Sequence, residues 1–186
     1  MLTSGSIRRP LSFTKDFVSN QNWDNIHIVD TGFDFDVAKG LGIGSNSSSI
    51  AVFNFVPARV SSVSAVVSYD SATSQAALDM GVIVRCLTTV VDDTYYYIRF
   101  DGSFFKVTRV LDDSFTTLES VAFELAHSTD CTLTVSLTNT GLVAEADDGS
   151  TTADFTMADT NIITGSIGFR TLSSSGWIKS ITCQDS

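Results

Sequence analysis

The sequence predicts an all-β protein, specifically a two-sheet antiparallel jelly-roll β-sandwich. Short segments of alternating apolar and polar residues recur along the chain, separated by clusters of Gly, Asp, Asn and Ser. Hydrophobic residues make up 43% of the chain and charged residues only 17%, a composition with few long-chain helix formers. Turn-forming pairs such as Asp101-Gly102, Thr140-Gly141 and Asp148-Gly149 separate successive alternating segments, as hairpins require.

The alternating segments predict about 14 short strands, typical of two antiparallel sheets packed face to face. In chain order they are Leu11 to Val18, Asn25 to Val29, Phe33 to Val37, Ile50 to Val56, Val60 to Tyr69, Asp79 to Thr88, Thr94 to Phe100, Phe104 to Leu111, Thr116 to Leu125, Cys131 to Leu137, Leu142 to Glu145, Thr152 to Met157, Gly165 to Thr171 and Trp177 to Cys183.

The chain has 186 residues, enough for one domain with a sizeable core. We expect an N-terminal extension over 1–10 and a single jelly-roll domain over 11–186. The first residues lack the apolar stretch of a signal peptide, and no apolar run approaches the length of a membrane span. The sequence therefore predicts neither a signal peptide nor membrane insertion.

The charge balance and the cysteines exclude some classes of partner. The formal net charge of −10 disfavours binding to nucleic acid, which a basic surface would have to drive. Cys86, Cys131 and Cys183 lie far apart without a CxxC motif, which argues against zinc and against a dense disulfide framework. At most one disulfide can form among them, and the simpler interpretation is three small buried residues in strands.

A candidate binding face comes from the segment "TYYYIRFDGSFFKVTR". A two-residue turn at Asp101-Gly102 would pair Arg99 with Phe104 and sort the hairpin into two faces. One is a core face of Tyr96, Ile98, Phe105 and Val107, and the other is an aromatic and cationic face of Tyr95, Tyr97, Arg99, Phe104 and Lys106. Arg85 would join Arg99 if the strand "DMGVIVRC" is adjacent. Such a face suits glycans, because rings stack on sugars while charged groups bond hydroxyls; the alternative is a structural face with paired charges.

The segments "ALDMGVIVRC", "YYYIRFDG", "CTLTVSLTNTGLVAEADDG" and "IITGSIGFRTLSSSGWIKSITC" together resemble the concanavalin A-like lectin/glucanase superfamily. The likeness is to its laminin-G-like modules, found in bacterial surface proteins and phage particles. It includes a closing G-x-I-G-F strand at Gly165 to Phe169 and a final aromatic-led strand at Trp177 to Cys183. The resemblance implies two curved sheets with paired terminal strands and ligands on one sheet face or at the rim loops.

The sequence and this resemblance together favour a non-catalytic, lectin-like module. We expect it on a virion or extracellular surface, binding glycan or another surface through Arg85, Tyr95, Tyr97, Arg99 and Lys106. One alternative is a structural capsid decoration or fibre protein that contacts only virion proteins, and the sequence leaves homo-oligomerisation open. A second is a degenerate glycoside-hydrolase relative.

Catalytic and metal signals are weak. The superfamily's glucanases carry a Glu-x-Asp-x-Glu strand that places two carboxylates on one face, and this sequence lacks it. Neither histidine, His27 nor His127, lies near a Ser or Cys motif, so a catalytic triad is unsupported. The pairs Asp92-Asp93, Asp112-Asp113 and Asp147-Asp148 are candidate Ca²⁺ ligands without EF-hand spacing, and the alternative is turn-forming charge. The sequence thus requires no cofactor.

Overall fold

A computed structural model describes residues 12–18, 26–28, 33–36, 40–43, 49–53, 60–70, 78–87, 94–171 and 176–185 of the chain. These residues form fifteen strands: β1 (Ser12–Asp16), β2 (Ile26–Ile28), β3 (Phe33–Asp36), β4 (Gly40–Ile43), β5 (Ser49–Phe53), β6 (Val60–Tyr69), β7 (Asp79–Cys86), β8 (Tyr95–Asp101), β9 (Phe104–Leu111), β10 (Ser114–Ala122), β11 (Cys131–Thr138), β12 (Gly141–Asp147), β13 (Thr152–Ala158), β14 (Ser166–Thr171) and β15 (Gly176–Asp185). The expected extension over 1–10 lies outside the described residues.

The strands form two antiparallel sheets, which confirms the predicted β-sandwich. The eight-stranded sheet has the order β13-β12-β11-β6-β15-β4-β3, with β1 also paired to β15. The seven-stranded sheet has the order β10-β9-β8-β7-β14-β5-β2. Pairing of β1 with β15, from Ser12 opposite Gln184 to Asp16 opposite Ser180, joins the first and last described strands. Within the described part of the chain, no helix is long and apolar enough to cross a membrane.

The core lies between the two sheets and follows the alternation seen in the sequence. In β11 the residues Cys131, Leu133 and Val135 are buried, while the intervening side chains of Thr132 and Ser136 are exposed. The seven-stranded sheet contributes equally regular inward residues, for example Met80, Val82 and Val84 of β7. Phe105 of this sheet packs on Phe155 of the other, with ring centroids 4.8 Å apart. Period-two patterning therefore specifies which face of each strand is buried.

The three cysteines are buried and lie in strands, as the simpler interpretation of the sequence had it. Two of them, Cys131 and Cys183, belong to the main core between the sheets. Cys86 belongs to a second apolar cluster on the outer face of the seven-stranded sheet, with Ile50, Val52, Ile83, Tyr95, Tyr97 and Val110. Apolar residues therefore lie on both faces of that sheet, a feature that the alternation in the hairpin did not predict.

Candidate functional site

The predicted antiparallel hairpin of β8 and β9 forms, but its register differs from the predicted one. Asp101 lies opposite Phe104, so Gly102 and Ser103 form the turn, and Gly102 has a positive φ of 60°. Arg99 consequently pairs with Lys106 and not with Phe104. Because the shift moves each pair by two positions, every side chain keeps its predicted face. Tyr96, Ile98, Phe105 and Val107 are buried in the main core, which confirms that half of the prediction.

The other face is not the open aromatic surface that we expected. The side chains of Tyr95 and Tyr97 are both 0% exposed. They belong to the second apolar cluster, where Tyr97 lies opposite Ile83 of β7 and Tyr95 opposite Val110 of β9. Neither ring is available to stack on a ligand at the surface, so the expectation that these two tyrosines present themselves is wrong.

Arg85 is also placed differently from the prediction. The strand β7 does neighbour β8, with Gly81 opposite Arg99, but the chain is irregular where β7 meets the start of β14. Arg85 has a positive φ of 54°, and its guanidinium lies between the sheets, 6.0 Å from the centre of the Tyr96 ring. This bulge reverses the alternation, so Arg85 points away from Arg99 and does not join the outer face.

Arg99 and Lys106 do lie together, within a row of alternating charges on the outer face. Arg99 forms ion pairs with Asp79 and with Asp101, the latter at 3.0 Å. Lys106 Nζ lies 2.9 Å from the same carboxylate of Asp101. The row runs across β7, β8 and β9, and its two positive and two negative groups compensate each other.

The buried side chain of Tyr97 lies beneath this row. Its hydroxyl lies 2.8 Å from Asp79 Oδ1 and 3.1 Å from the backbone carbonyl of Arg170, and it donates to these acceptors. The guanidinium of Arg99 lies 5.4 Å from the Tyr97 ring centre, and that of Arg170 lies 5.8 Å away. Burial raises the pKa of Tyr97 well above its ordinary value, an effect to which the charge of Asp79 adds, so the hydroxyl stays protonated.

The carboxyl of Asp79 has a pKa raised above its ordinary value. Burial is the largest cause, and it outweighs the opposing effects of the Arg99 charge and the hydrogen bond from Tyr97. Arg170 completes the outer face from β14, where its guanidinium donates a hydrogen bond to the hydroxyl of Tyr95. The buried tyrosines therefore hold the cationic groups in place.

Two exposed aromatic side chains lie on this outer face: Phe104, which the sequence predicts to lie there, and Phe115, which it does not. Phe104, the first residue of β9, is 45% exposed, and Lys106 Nζ lies 5.0 Å from its ring centre. Phe115, near the start of β10, is 50% exposed, and the Arg170 guanidinium lies 5.1 Å from its ring centre. Phe115 was missed because it lies next to the Asp112-Asp113 turn, outside the predicted strand.

The paired aspartates within the described residues act in turns. Asp112 and Asp113 both have positive φ and form the tight turn between β9 and β10. Asp148 Oδ1 accepts hydrogen bonds from the backbone of Ser150 and Thr151, which lower the pKa of its carboxyl. No group of three His, Cys, Asp or Glu among the described residues is placed to hold a metal ion. Asp92-Asp93 lies outside them.

Comparison by sequence finds no matching protein-family model and no matching curated protein. Comparison by structure finds many matches, and they define the protein as a β-sandwich with the concanavalin A-like fold. The carbohydrate-binding module CBM66 from Bacillus subtilis matches with a TM-score of 0.64 at 8% identity, covering 87% of this chain and 92% of the module. Lectin II from Ulex europaeus matches with a TM-score of 0.66 at 13% identity, covering 95% of this chain and 99% of the lectin.

The Crh5 transglycosylase also shares this fold, with a TM-score of 0.61 at 11% identity, covering 94% of this chain and 84% of the enzyme. The matching structures thus include enzymes as well as binding proteins. Identities this low establish a shared fold alone, because the same β-sandwich supports different functions.

Proposed function

We propose that the protein is a non-catalytic carbohydrate-binding β-sandwich that binds glycan on the outer face of its seven-stranded sheet. The observation that carries the proposal is the pair of exposed rings, Phe104 and Phe115, on a face that also presents polar groups. They are the two aromatic members of the five large hydrophobic side chains that are exposed in the described part of the chain. Rings flanked by hydrogen-bonding groups are the composition that sugar recognition uses.

The other residues of the face have distinct roles in this proposal. Arg99 and Lys106 supply hydrogen-bond donors on this face, with side chains that are 13% and 20% exposed. Tyr95 and Tyr97 act as positioning residues beneath them, and Arg85 has no part in binding because it lies between the sheets. The structural matches to a lectin and to a carbohydrate-binding module support the class of ligand.

We further propose that the protein acts on a virion or extracellular surface. This part of the proposal rests on the resemblance of the sequence to laminin-G-like modules of phage particles and bacterial surface proteins. A structural role with only protein contacts, as in a capsid decoration or fibre, is the competing hypothesis, and the glycan measurement separates the two.

The test is a glycan array probed with the wild type, with Phe115→Ala and with Arg99→Ala. We expect the wild type to bind a defined set of glycans and both variants to bind them about tenfold more weakly. Val143→Ala is the matched control, because Val143 is an exposed apolar residue, 38% exposed, on the opposite sheet. Absence of glycan binding by the wild type would refute the proposal and favour the structural role.

A second candidate function, glycoside hydrolysis, is favoured by one observation. Asp79 and Asp101 lie directly opposite each other on β7 and β8, and the raised pKa of Asp79 is a property of general acids. However, the Arg99 guanidinium binds both carboxylates, so neither is free to attack a sugar. We therefore favour binding without catalysis.

The hydrolase alternative is tested by incubating the wild type with any glycan that it binds and measuring released reducing ends. We expect no release above the rate with Asp101→Asn. Release by the wild type that is lost in both Asp79→Asn and Asp101→Asn would replace the binding function with a catalytic one.

A further inference from the structure

The residues that carry the two exposed rings lie at opposite ends of the β9–β10 pair, and the Phe115 ring packs on the Arg170 guanidinium of β14. Phe104 begins β9, whereas Phe115 of β10 lies opposite Val110, six residues further along β9. At the rise of an antiparallel strand, the Cα atoms of Phe104 and Phe115 are about 20 Å apart. One monosaccharide cannot contact both rings over this distance, whereas an extended chain of sugars can.

The path between the rings carries only short side chains on β10. By register, Thr117 lies opposite Thr108, Ser120 opposite Lys106 and Ala122 opposite Phe104, all on the outer face. These three residues of β10 are exposed, so no bulky side chain prevents a chain-like ligand from lying flat along the strand. The hydroxyls of Thr117 and Ser120 can each donate or accept a hydrogen bond from such a ligand.

Thr108 is a buried polar residue of β9 that lies beneath this path. Its side chain is on the outer face, opposite Tyr97 on one side and Thr117 on the other. The residue is 1% exposed, and its hydroxyl has no hydrogen-bond partner among the described residues. Because buried hydroxyls are nearly always satisfied, a buried water suits this position, whereas a ligand on the surface does not reach a side chain covered to this extent.

The row of ion pairs favours an uncharged ligand, and Arg170, a further cation of this face, is only 8% exposed and packs against Phe115. Asp79, Arg99, Asp101 and Lys106 neutralise one another through ion pairs, so this row leaves no excess charge to attract an ion. The chain as a whole carries a formal net charge of −10, which repels acidic polysaccharides at long range.

We infer that the ligand is a neutral, extended oligosaccharide that lies along β10 and contacts Phe104 at one end and Phe115 at the other. This inference rests on the proposed glycan-binding function and adds ligand length, charge and direction to it. The cations Lys106 and Arg170, each packed against one ring, hold the two aromatic platforms in position.

The experiment is isothermal titration calorimetry with a ladder of neutral glucan, xylan and galactan oligosaccharides, from the monosaccharide to long chains. We expect affinity to rise with chain length until the ligand spans both rings and then to level off. Phe104→Ala and Phe115→Ala should each weaken binding of long chains about tenfold, with Phe→Tyr at either position retaining it. Val143→Ala should bind like the wild type, and salt should have little effect.

The outcomes separate the inference from the function on which it rests. A monosaccharide that binds as tightly as the long chains, or long-chain binding that depends on only one ring, overturns the inference while glycan binding stands. If the protein prefers acidic polysaccharides and this binding weakens strongly with salt, the inference of a neutral ligand is overturned. If no member of the ladder and no arrayed glycan binds, the proposed function itself fails.

Discussion

Arg85 is a buried cation whose hydrogen-bond partners are backbone carbonyl oxygens. Its guanidinium donates to the carbonyls of Ile162, at 3.0 Å, of Gly141, at 3.3 Å, and of Thr138. Burial lowers the pKa of Arg85, but arginine stays charged at any physiological pH. The side chain therefore ties β7 of one sheet to the β11–β12 turn of the other and to the chain after β13.

Replacing Arg85 should cost stability because three carbonyls would lose their donor. We expect Arg85→Ala to lower the free energy of unfolding by about 3 kcal/mol. Arg85→Lys should lower it by less, because an ammonium group keeps the charge although it lacks the planar set of donors of a guanidinium. Urea denaturation measures both. The matched control is Lys179→Ala, which removes an exposed ion pair with Asp130 and should cost no more than about 0.5 kcal/mol. Equal losses for the two alanine variants would contradict the structural role of Arg85.

The core cysteines should be chemically inert in the folded protein. Burial raises the pKa of the Cys131 and Cys183 thiols to about 12, so almost no thiolate exists at neutral pH. We expect iodoacetamide to leave both unmodified in the native state and to alkylate them readily in urea, as measured by mass spectrometry of peptides. Native-state alkylation of Cys131 as fast as in urea would show that the thiol is accessible.

At the scale of elements, β14 is a strand that its two neighbours approach closely. Gly168 lies opposite Val52 of β5 and Ile83 of β7, within the G-x-I-G-F motif. A Cβ at this position would lie 2.1 Å from the carbonyl oxygen of Ala51, an impossible contact with backbone. The motif thus specifies glycine because any side chain would separate β14 from β5.

The prediction is that Gly168→Ala is severely destabilising, by about 3 kcal/mol or more. Gly149→Ala is the control: this residue has a positive φ of 86° but no atom within 4 Å of an added Cβ, so it should cost only about 1 kcal/mol of backbone strain. Thermal unfolding compares the two variants. If both shift the midpoint equally, close approach at β14 is not what selects glycine there.

The strands that the sequence predicts well are those in which apolar and polar residues alternate regularly. Strands with regular alternation were predicted closely, and β6 (Val60–Tyr69) and β9 (Phe104–Leu111) were predicted to the residue. The strand β4 (Gly40–Ile43) was missed because its two glycines give no apolar pattern. The hairpin faces survived a wrong register because the error was an even number of residues.

The candidate site was predicted less well, for two physical reasons. Alternation assigns side chains to two faces but does not show whether a second face is also covered, so the burial of Tyr95 and Tyr97 could not be read from the pattern. A bulge reverses alternation without changing composition, so Arg85 was assigned to the wrong face. Arg99 and Lys106 were correctly placed on one face because they lie within regular strands.

At the scale of the whole molecule, a polar cluster around Asp159 joins the sheets at the end of β13. The Asp159 carboxylate accepts a hydrogen bond from Tyr96 of β8 at 2.9 Å and pairs with Arg109 of β9 at 2.5 Å. Its other contacts come from Asn161, whose backbone and side-chain nitrogens lie 2.7 and 2.6 Å from Oδ1. The cluster therefore links the edge of the eight-stranded sheet to the middle of the seven-stranded sheet.

This link makes the stability of the sandwich depend on pH. Burial alone would raise the pKa of Asp159, but the hydrogen bonds from Asn161, Tyr96 and Arg109 outweigh it and lower the pKa below the ordinary value of 3.8. The stabilisation is therefore complete above pH 3.8 and is lost as the pH falls through the lower pKa of the folded state. Asp79 acts in the opposite direction, because its raised pKa contributes stability that is present below 3.8 and is lost as the pH rises.

We predict that Asp159→Asn is less stable than the wild type near neutral pH and that the difference shrinks as the pH falls below the ordinary aspartate value, because both proteins then carry an uncharged side chain. Urea unfolding at a series of pH values measures this difference directly. Asp79→Asn is the control. Because the pKa of Asp79 is raised, the part of the stability difference between this variant and the wild type that comes from Asp79 ionisation should change with pH in the opposite direction. A stability difference for Asp159→Asn that stays constant through the acid range would show that the Asp159 charge does not hold the two sheets together.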